Sequence, residues 1–323
     1  MAVYTHITQN TLNDFMKQYP FKAVTDFQGI EQGVENTNYL ITADATQYIL
    51  TLFEKRVAKD DLPFYLDYMN FLYQNNITVP QPIKTKTGQI LTCFGDKPAV
   101  VLSFLSGKDI TLDKITAHHC AELGQFLAQL HQTSNRCDLS QTNSLSITNW
   151  PLLFKECQKA SNGEFSTILS TLQSELSFLK KQWPQNLPKG LIHADLFPDN
   201  VFFEKETLSG IIDFYFSCTD FYAYDVAICL NAWCFDSKTS QFDITKSTAF
   251  LTAYQKGRPL LEHEKMAFPI LCRGAALRFL LTRLYDWFHT PKDALVKPKN
   301  PDEYYQKLCF HQNITQFEEY LTL

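Results

Sequence analysis

The sequence predicts an α+β protein of two lobes, a small antiparallel-sheet lobe followed by a larger, mainly helical one. Three observations lead there. The first hundred residues alternate short apolar runs with turn residues, the pattern of strands. From Ser106 onward, apolar residues recur at helical spacing. The composition changes between Ser103 and Gly107, which sets the lobes at residues 1–103 and 104–323. A chain of 323 residues has room for two domains of ordinary size. Its charged fraction of 20% against 45% hydrophobic places it among folded chains rather than disordered ones.

Leu12, Phe15 and Met16 mark a short amphipathic helix within residues 11–19. Residues 27–29 and 39–42 read as strands joined by a turn-rich link, and residues 47–53 as a third strand. Pro63, near the first turn, opens a helix that runs to about Gln74 and is stopped by the Pro80-Gln81-Pro82 segment. Residues 89–94 and 99–104 form a further strand pair. In the second lobe, 116–131 is a long periodic helix, 133–149 a Ser/Thr/Asn-rich surface loop, and 165–183 a second helix. Two short strands follow, at 191–193 and 210–213, and the chain is again mainly helical from Asp225 to Phe288.

Charge and thiols narrow the function classes. With 34 acidic against 29 basic residues, net charge −5, the chain has no basic excess with which to hold a nucleic-acid backbone. No apolar run approaches the roughly 20 residues that span a bilayer, and the first residues show no basic-then-apolar leader. The nine cysteines are scattered, without a Cys-x-x-Cys pair, as expected of free thiols in a cytoplasmic protein. Aromatic residues make up 14% of the chain, and composition alone assigns them either to core or to a pocket wall.

The chemistry concentrates in Leu191-Ile192-His193-Ala194-Asp195-Leu196-Phe197-Pro198-Asp199-Asn200-Val201 and Gly210-Ile211-Ile212-Asp213-Phe214. Val201-Phe202-Phe203 and Ile211-Ile212 read as a buried hairpin with His193, Asp195, Asn200 and Asp213 at its edges. Two carboxylates and an amide are what phosphoryl transfer uses: one carboxylate to take the proton of the attacking hydroxyl, and hard oxygen ligands for magnesium on a triphosphate. Asp199, beside Pro198, reads as a turn residue.

His193-x-Asp195-x-x-x-x-Asn200 followed by Ile211-Ile212-Asp213 resembles the aminoglycoside phosphotransferase and choline kinase superfamily, as does Leu123-Gly124-x-x-Leu127-Ala128-x-Leu130-His131. The resemblance implies a bilobal protein-kinase-like fold and an ATP-dependent, Mg2+-dependent kinase of a small molecule. It implies Asp195 as catalytic base, Asn200 and Asp213 as metal ligands, and His193 and Asp225 as structural supports of the loop. Gly33, Asn36 and Thr37 fall in a segment that resembles the family's phosphate-covering hairpin, although such a segment also reads as an ordinary turn. Residues 100–107, with Ser103 and Leu105, resemble the interlobe hinge that pairs with adenine. The chain departs from the pattern at Thr51, where a Lys or Arg is usual. Lys55 and Arg56 lie just beyond, either as phosphate contacts or as solvated charges, and Asp61 and Asp67 are the nearest acids to the usual helix Glu.

Residues 33–39, 48–56, 191–200, 212–225, 227–235 and 273–287 together resemble one branch, the bacterial homoserine kinases of the aminoglycoside-phosphotransferase-like type. What that implies is phosphorylation of the L-homoserine hydroxyl in threonine biosynthesis. An amino-acid acceptor needs a cation for its carboxylate and an anion for its ammonium. Arg278 and Arg283, deep in an apolar run, are the candidates for the first, unless they pair with structural acids. Asp220 is the candidate for the second, or else a helix N-cap before Phe221. Tyr215 and Trp233 are candidate walls, and residues 214–235 are where the aromatic excess should line the acceptor pocket. Choline or ethanolamine phosphorylation is the neighbouring alternative, with those aromatics as a cation cage. A silent nucleotide-binding module is the non-enzymatic one.

Overall fold

A computed structural model describes residues 4–30, 36–54, 58–291 and 297–322. Gly33, Lys55 and Arg56 lie outside the described residues. The chain divides into two compact units, Met1–Ser106 with Gly210–Tyr215, and Gly107–Ser209 with Phe216–Leu323.

The first unit carries a five-stranded antiparallel sheet in the order β1-β2-β3-β5-β4, with β1 at Val24–Ile30, β2 at Thr37–Ala43, β3 at Thr46–Leu52, β4 at Thr92–Phe94 and β5 at Lys97–Ser103. Alternation sets the register of β2, where Thr37, Tyr39, Ile41 and Ala43 are buried in turn. Tyr39 and Ile41 join Leu50, Leu52, Ala99 and Val101 against Leu12, Phe15 and Met16 of α1 (Gln9–Met16). Helix α2 (Leu62–Gln74) begins at the Pro63 signal, and its cap amide closes on Leu72 at Asn75. The short return, Gly210–Tyr215, belongs to this unit physically. The Ile211 amide donates to Thr78 O at 3.2 Å, Phe214 packs on Tyr68 with ring centroids 5.8 Å apart, and Tyr215 meets Phe53 and Tyr65 edge-on. Gly210 sits at φ +152°, and a side chain there would meet Thr78 O at 2.7 Å, so only glycine fits.

The second unit is built on α3 (Ala117–Ser134), α4 (Trp150–Ala160), α5 (Ser166–Gln182), α6 (Tyr222–Trp233), α7 (Ile244–Gly257), α8 (Glu262–His289) and α9 (Asp302–His311). Strand β6 (Lys189–Ile192) pairs antiparallel with β9 (Cys218–Phe221). Strands β7 (Val201–Glu204) and β8 (Thr207–Ile211) form the expected hairpin. Three elements had no sequence expectation, α4, β9 and α9, the last lying beyond the helical stretch expected to end at Phe288. The four residues of β9 are too few for a periodic signal, and α4 follows directly on the Ser/Thr/Asn-rich loop that masks its start. All twelve residues of α6 are buried, so this helix is apolar all round and forms the centre of the unit. That corrects the expected aromatic partition. Tyr222, Tyr224 and Trp233, within the stretch expected to line the pocket, are 4%, 1% and 1% exposed and belong to the core, whereas Phe202, in the hairpin read as buried, is half-buried.

Helix α3 lies directly on α7. Gly124 makes this possible, since a Cβ there would fall 2.3 Å from the backbone oxygen of Phe250. Among the described residues, no helix is long and apolar enough to cross a membrane. Gly124→Ala is expected to force the two helices apart at a cost of about 2 kcal/mol, read as a lower urea midpoint at an unchanged m-value.

Candidate active site

The loop that follows β6 is held from below by one carboxylate. Asp225, in the first turn of α6, is fully buried. Its Oδ2 accepts the His193 amide at 3.0 Å and its Oδ1 accepts the Ala194 amide at 2.9 Å. His131 on α3 reaches Oδ2 through Nε2 at 3.1 Å. Burial alone would raise the pKa of Asp225. The His131 and His193 contacts outweigh it and hold the carboxyl below its ordinary value.

Those bonds fix an unfavourable backbone. Ala194 sits at φ +64°, in the left-handed region that costs a non-glycine residue roughly 1–2 kcal/mol. Its N–H is taken by Asp225 and its carbonyl accepts Arg278 Nη1 at 2.5 Å, so both peptide groups beside it are determined by buried charges. The Asp195 amide donates to His193 Nδ1 at 3.3 Å. Asp195 itself is half-buried at the end of this turn. The loop then closes through a 3-10 turn at Pro198–Asn200, where the Asn200 amide donates to Phe197 O at 2.9 Å. The Asn200 side-chain nitrogen donates to Asp195 O at 2.8 Å and lies 3.4 Å from Asp195 Oδ2. Because the nitrogen is committed, the amide oxygen is the atom of Asn200 left for a hard cation. Asp199 points outward, 61% exposed, 3.5 Å from Lys299, as its turn position suggests.

Asp213 belongs to the first unit. It too has positive φ, +65°, just before the buried Phe214. Among the described residues no group of three or more His, Cys, Asp or Glu side chains is arranged to hold a metal ion. Taken singly, an amide oxygen such as that of Asn200 and a carboxylate such as that of Asp213 are hard oxygen donors of the kind magnesium takes.

The other expected site residues are placed as follows. Arg283 donates to Glu303 Oε2 at 2.6 Å and to Asn300 O at 3.2 Å. Arg273 forms an ion pair with Glu175 and stacks on Phe178. Arg278 differs from both: among the described residues it has no carboxylate within ion-pair distance, and its buried Nε has no hydrogen-bond partner. Asp220 lies in β9 rather than at a helix cap; Phe221 is the N-cap residue of α6 and has no side-chain cap bond. The Asp220 carboxylate accepts Asn143 Nδ2 at 2.6 Å and the Phe221 amide at 2.7 Å, and burial raises its pKa. Trp233 lies beneath the loop, its indole N–H donating to Leu196 O at 2.8 Å.

In the first unit, the side chains of Asn36 and Thr37 are engaged with Glu54, Asn36 through the Glu54 amide and Thr37 through Glu54 Oε1 at 2.6 Å. Thr51, buried, donates to Asn38 Oδ1 at 2.8 Å. Ser103 pairs by its backbone and side chain with Gln81, both at 2.8 Å. Leu105 lies beside Gly210. Sequence reasoning gave no role to Lys97, which joins Glu54 and Thr5 at the edge of this sheet.

A family model described as the phosphotransferase enzyme family matches residues 26–260, and the chain belongs to that family. Within it, the chain is 48% identical to a homoserine kinase of Nitrobacter hamburgensis over 99% of its own length and 97% of that protein. It is 48% identical to a homoserine kinase of Xanthobacter autotrophicus, covering 99% of each. Among solved structures, an amicoumacin kinase in complex with AMP-PNP, Ca2+ and Ami superposes with a TM-score of 0.70 at 16% identity, covering 97% of this chain and 94% of that one. This likeness supports the bilobal α+β fold expected from the sequence.

The cationic cluster on α8 and α9 has a pH signature. Burial would raise the Glu303 carboxyl, but the Lys307 ammonium and the Arg283 guanidinium hold it at about 2. Burial moves Lys307 the other way, down to about 8, so the gain in this pair lies with Glu303. A carboxyl with a depressed folded pKa stabilises above its unfolded value near 4.5, and that stability is lost as pH falls toward 2. Glu303→Gln should therefore lower stability at pH 7 by about 1–2 kcal/mol, discounted for its partial exposure. It should also flatten the acid limb of a stability-versus-pH curve between those two values.

Proposed function

We propose that the chain is an ATP-dependent L-homoserine kinase that makes O-phospho-L-homoserine for threonine biosynthesis. The observation that carries the reading is the likeness to homoserine kinases at 48% identity over 99% of the chain, joined to a loop built around Asp195. Asp195 orients the acceptor hydroxyl and takes its proton. Asn200 and Asp213 offer oxygens to magnesium on the triphosphate, and that cation would supply charge neutralisation at the transferring phosphoryl group. Little covalent chemistry falls to the chain, so rate comes from position and charge.

Arg278 is the best-suited partner for the acceptor carboxylate. Arg273 and Arg283 each hold a carboxylate of the chain, while Arg278 keeps an unpartnered, buried Nε one residue from Asp195 through its bond to Ala194 O. A guanidinium with one edge spoken for still offers donors along another, the geometry of bidentate carboxylate binding. Asp220 and Tyr215 stay as further substrate-side candidates, and Gly33, Asn36, Thr37, Lys55, Ser103 and Leu105 as nucleotide-side ones. Choline and ethanolamine lack a carboxylate, so a buried arginine would gain nothing from them.

ADP release is expected with homoserine and at background level with choline, ethanolamine, serine and an aminoglycoside; activity confined to an amino alcohol would overturn the reading. Asp195→Asn, folded normally, should lose at least about a thousandfold in kcat, within the range of removing a general base and its positioning. Arg278→Ala should raise KM for homoserine by about tenfold or more, leave KM for ATP near wild type, and also lower kcat because Ala194 O loses its donor.

A further inference from the structure

The Asp225 contact with His131 leaves a question about the imidazole, since a histidine can face a carboxylate in more than one protonation state. The surrounding bonds answer it. His131 is fully buried, and its Nδ1 lies 2.8 Å from the Tyr254 hydroxyl. That hydroxyl also lies 3.2 Å from Arg258 Nη1. A guanidinium only donates, so the Tyr254 oxygen accepts from Arg258; the buried phenolic hydrogen still needs an acceptor, and among the described residues His131 Nδ1 is the one within hydrogen-bond distance. Nδ1 is then an acceptor, and the ring proton sits on Nε2, aimed at Asp225. Arg258 is fixed in turn by Glu264, which is fully buried and 3.0 Å from Nη2, and its guanidinium lies 4.7 Å over the Tyr222 ring. Glu264 Oε2 is itself held by the Leu261 amide at 3.0 Å. Every donor and acceptor along this line has one consistent direction.

We infer that Tyr254 and Arg258 on the α7 side are positioning residues of the catalytic loop, acting by fixing His131 as the neutral Nε2–H tautomer that presents a single donor to Asp225. The close approach of α7 to α3 at Gly124, and at Gly257, where a Cβ would meet Ala128 at 2.7 Å, is what brings Tyr254 within reach. Burial holds the His131 ring below its ordinary pKa against the pull of Asp225, in keeping with a neutral imidazole. With Nδ1 unprotonated, Asp225 keeps its full negative charge for the His193 and Ala194 amides, and the strained Ala194 backbone stays in place under Asp195. The kinetic consequence rests on the kinase reading, but the tautomer does not.

The test has a spectroscopic and a kinetic arm. In the full chain with 15N-labelled histidine, long-range 1H–15N correlation should show His131 Nδ1 as an unprotonated nitrogen and Nε2 as protonated. A protonated Nδ1, or a cationic ring at neutral pH, would overturn the inference. In Tyr254→Phe the Nδ1 resonance should shift, because that nitrogen loses its phenolic donor while Asp225 still holds the Nε2 proton, and kcat should fall roughly tenfold with KM for ATP and for the acceptor changed by less than about twofold. Arg258→Met should behave like Tyr254→Phe, and Arg258→Lys, which restores a donor to the phenol, should recover most of kcat. A folded Tyr254→Phe with wild-type kcat and an unaltered imidazole signature contradicts the assignment. If homoserine is not phosphorylated yet the wild-type tautomer is as stated, only the proposed function falls.

Discussion

One buried carboxylate organises the second unit. Asp225 has no water to solvate it, so its charge must be met by the chain, and what meets it is the backbone of the loop that carries Asp195. An ordinary turn would not hold an alanine at positive φ, because nothing would offset the cost. Here the cost is offset because moving the peptide would strand a buried negative charge on one side and leave the Arg278 guanidinium without its carbonyl on the other. The loop geometry is a by-product of electrostatic satisfaction in the core.

This explains why α6 is apolar on every side. A helix that must present a carboxylate at its first turn, an indole N–H to Leu196 at its last and Asn231 to Cys272 O and His311 between them cannot leave any face in water. Asp225, Asn231 and the Trp233 indole are each spent on a neighbour, whereas the buried Tyr222 and Tyr224 hydroxyls have no hydrogen-bond partner among the described residues. The aromatic residues around it therefore fill space. Trp183 on Tyr224 and Phe203 beside Trp233 are ring contacts of a core.

The fold was largely legible in the sequence because most elements are long or well punctuated. The second strand of the first lobe alternates, its neighbours are short apolar runs bounded by turn residues, Pro63 marks the start of α2, and the helix of Leu123, Leu127, Leu130 and His131 keeps its period. What escaped was short or ambiguous. Strand β9 is only four residues and sits beside a helix of similar apolarity, so Asp220 read equally well as a cap. For the loop after β6, spacing grouped His193, Asp195 and Asn200, and the hydrogen bonds of the second unit join these three. The arginines of α8 could not be sorted in sequence, because Glu175 lies 98 residues before Arg273 and Glu303 lies 20 residues after Arg283, both outside the helix and its i, i+4 spacing. Tyr254 and Arg258 gave no signal at all: a tyrosine and an arginine four apart on a helix are common, and their meaning comes from the histidine they face.

The return of Gly210–Tyr215 to the first unit has a consequence for how the chain assembles. That unit is not a segment that can be completed in order. Its sheet and helices are finished by Ser106, yet Phe214 and Tyr215 occupy places against Tyr68, Phe53 and Tyr65 that stay open until about a hundred further residues have been made. During synthesis the first unit must wait, with an apolar seam uncovered, for a piece of chain that arrives only after β6 to β8 have emerged. A fragment cut at the end of the fifth strand would carry the same exposed seam permanently, so the natural folding unit of the smaller lobe is discontinuous, and its cooperativity is tied to a distant stretch of the chain.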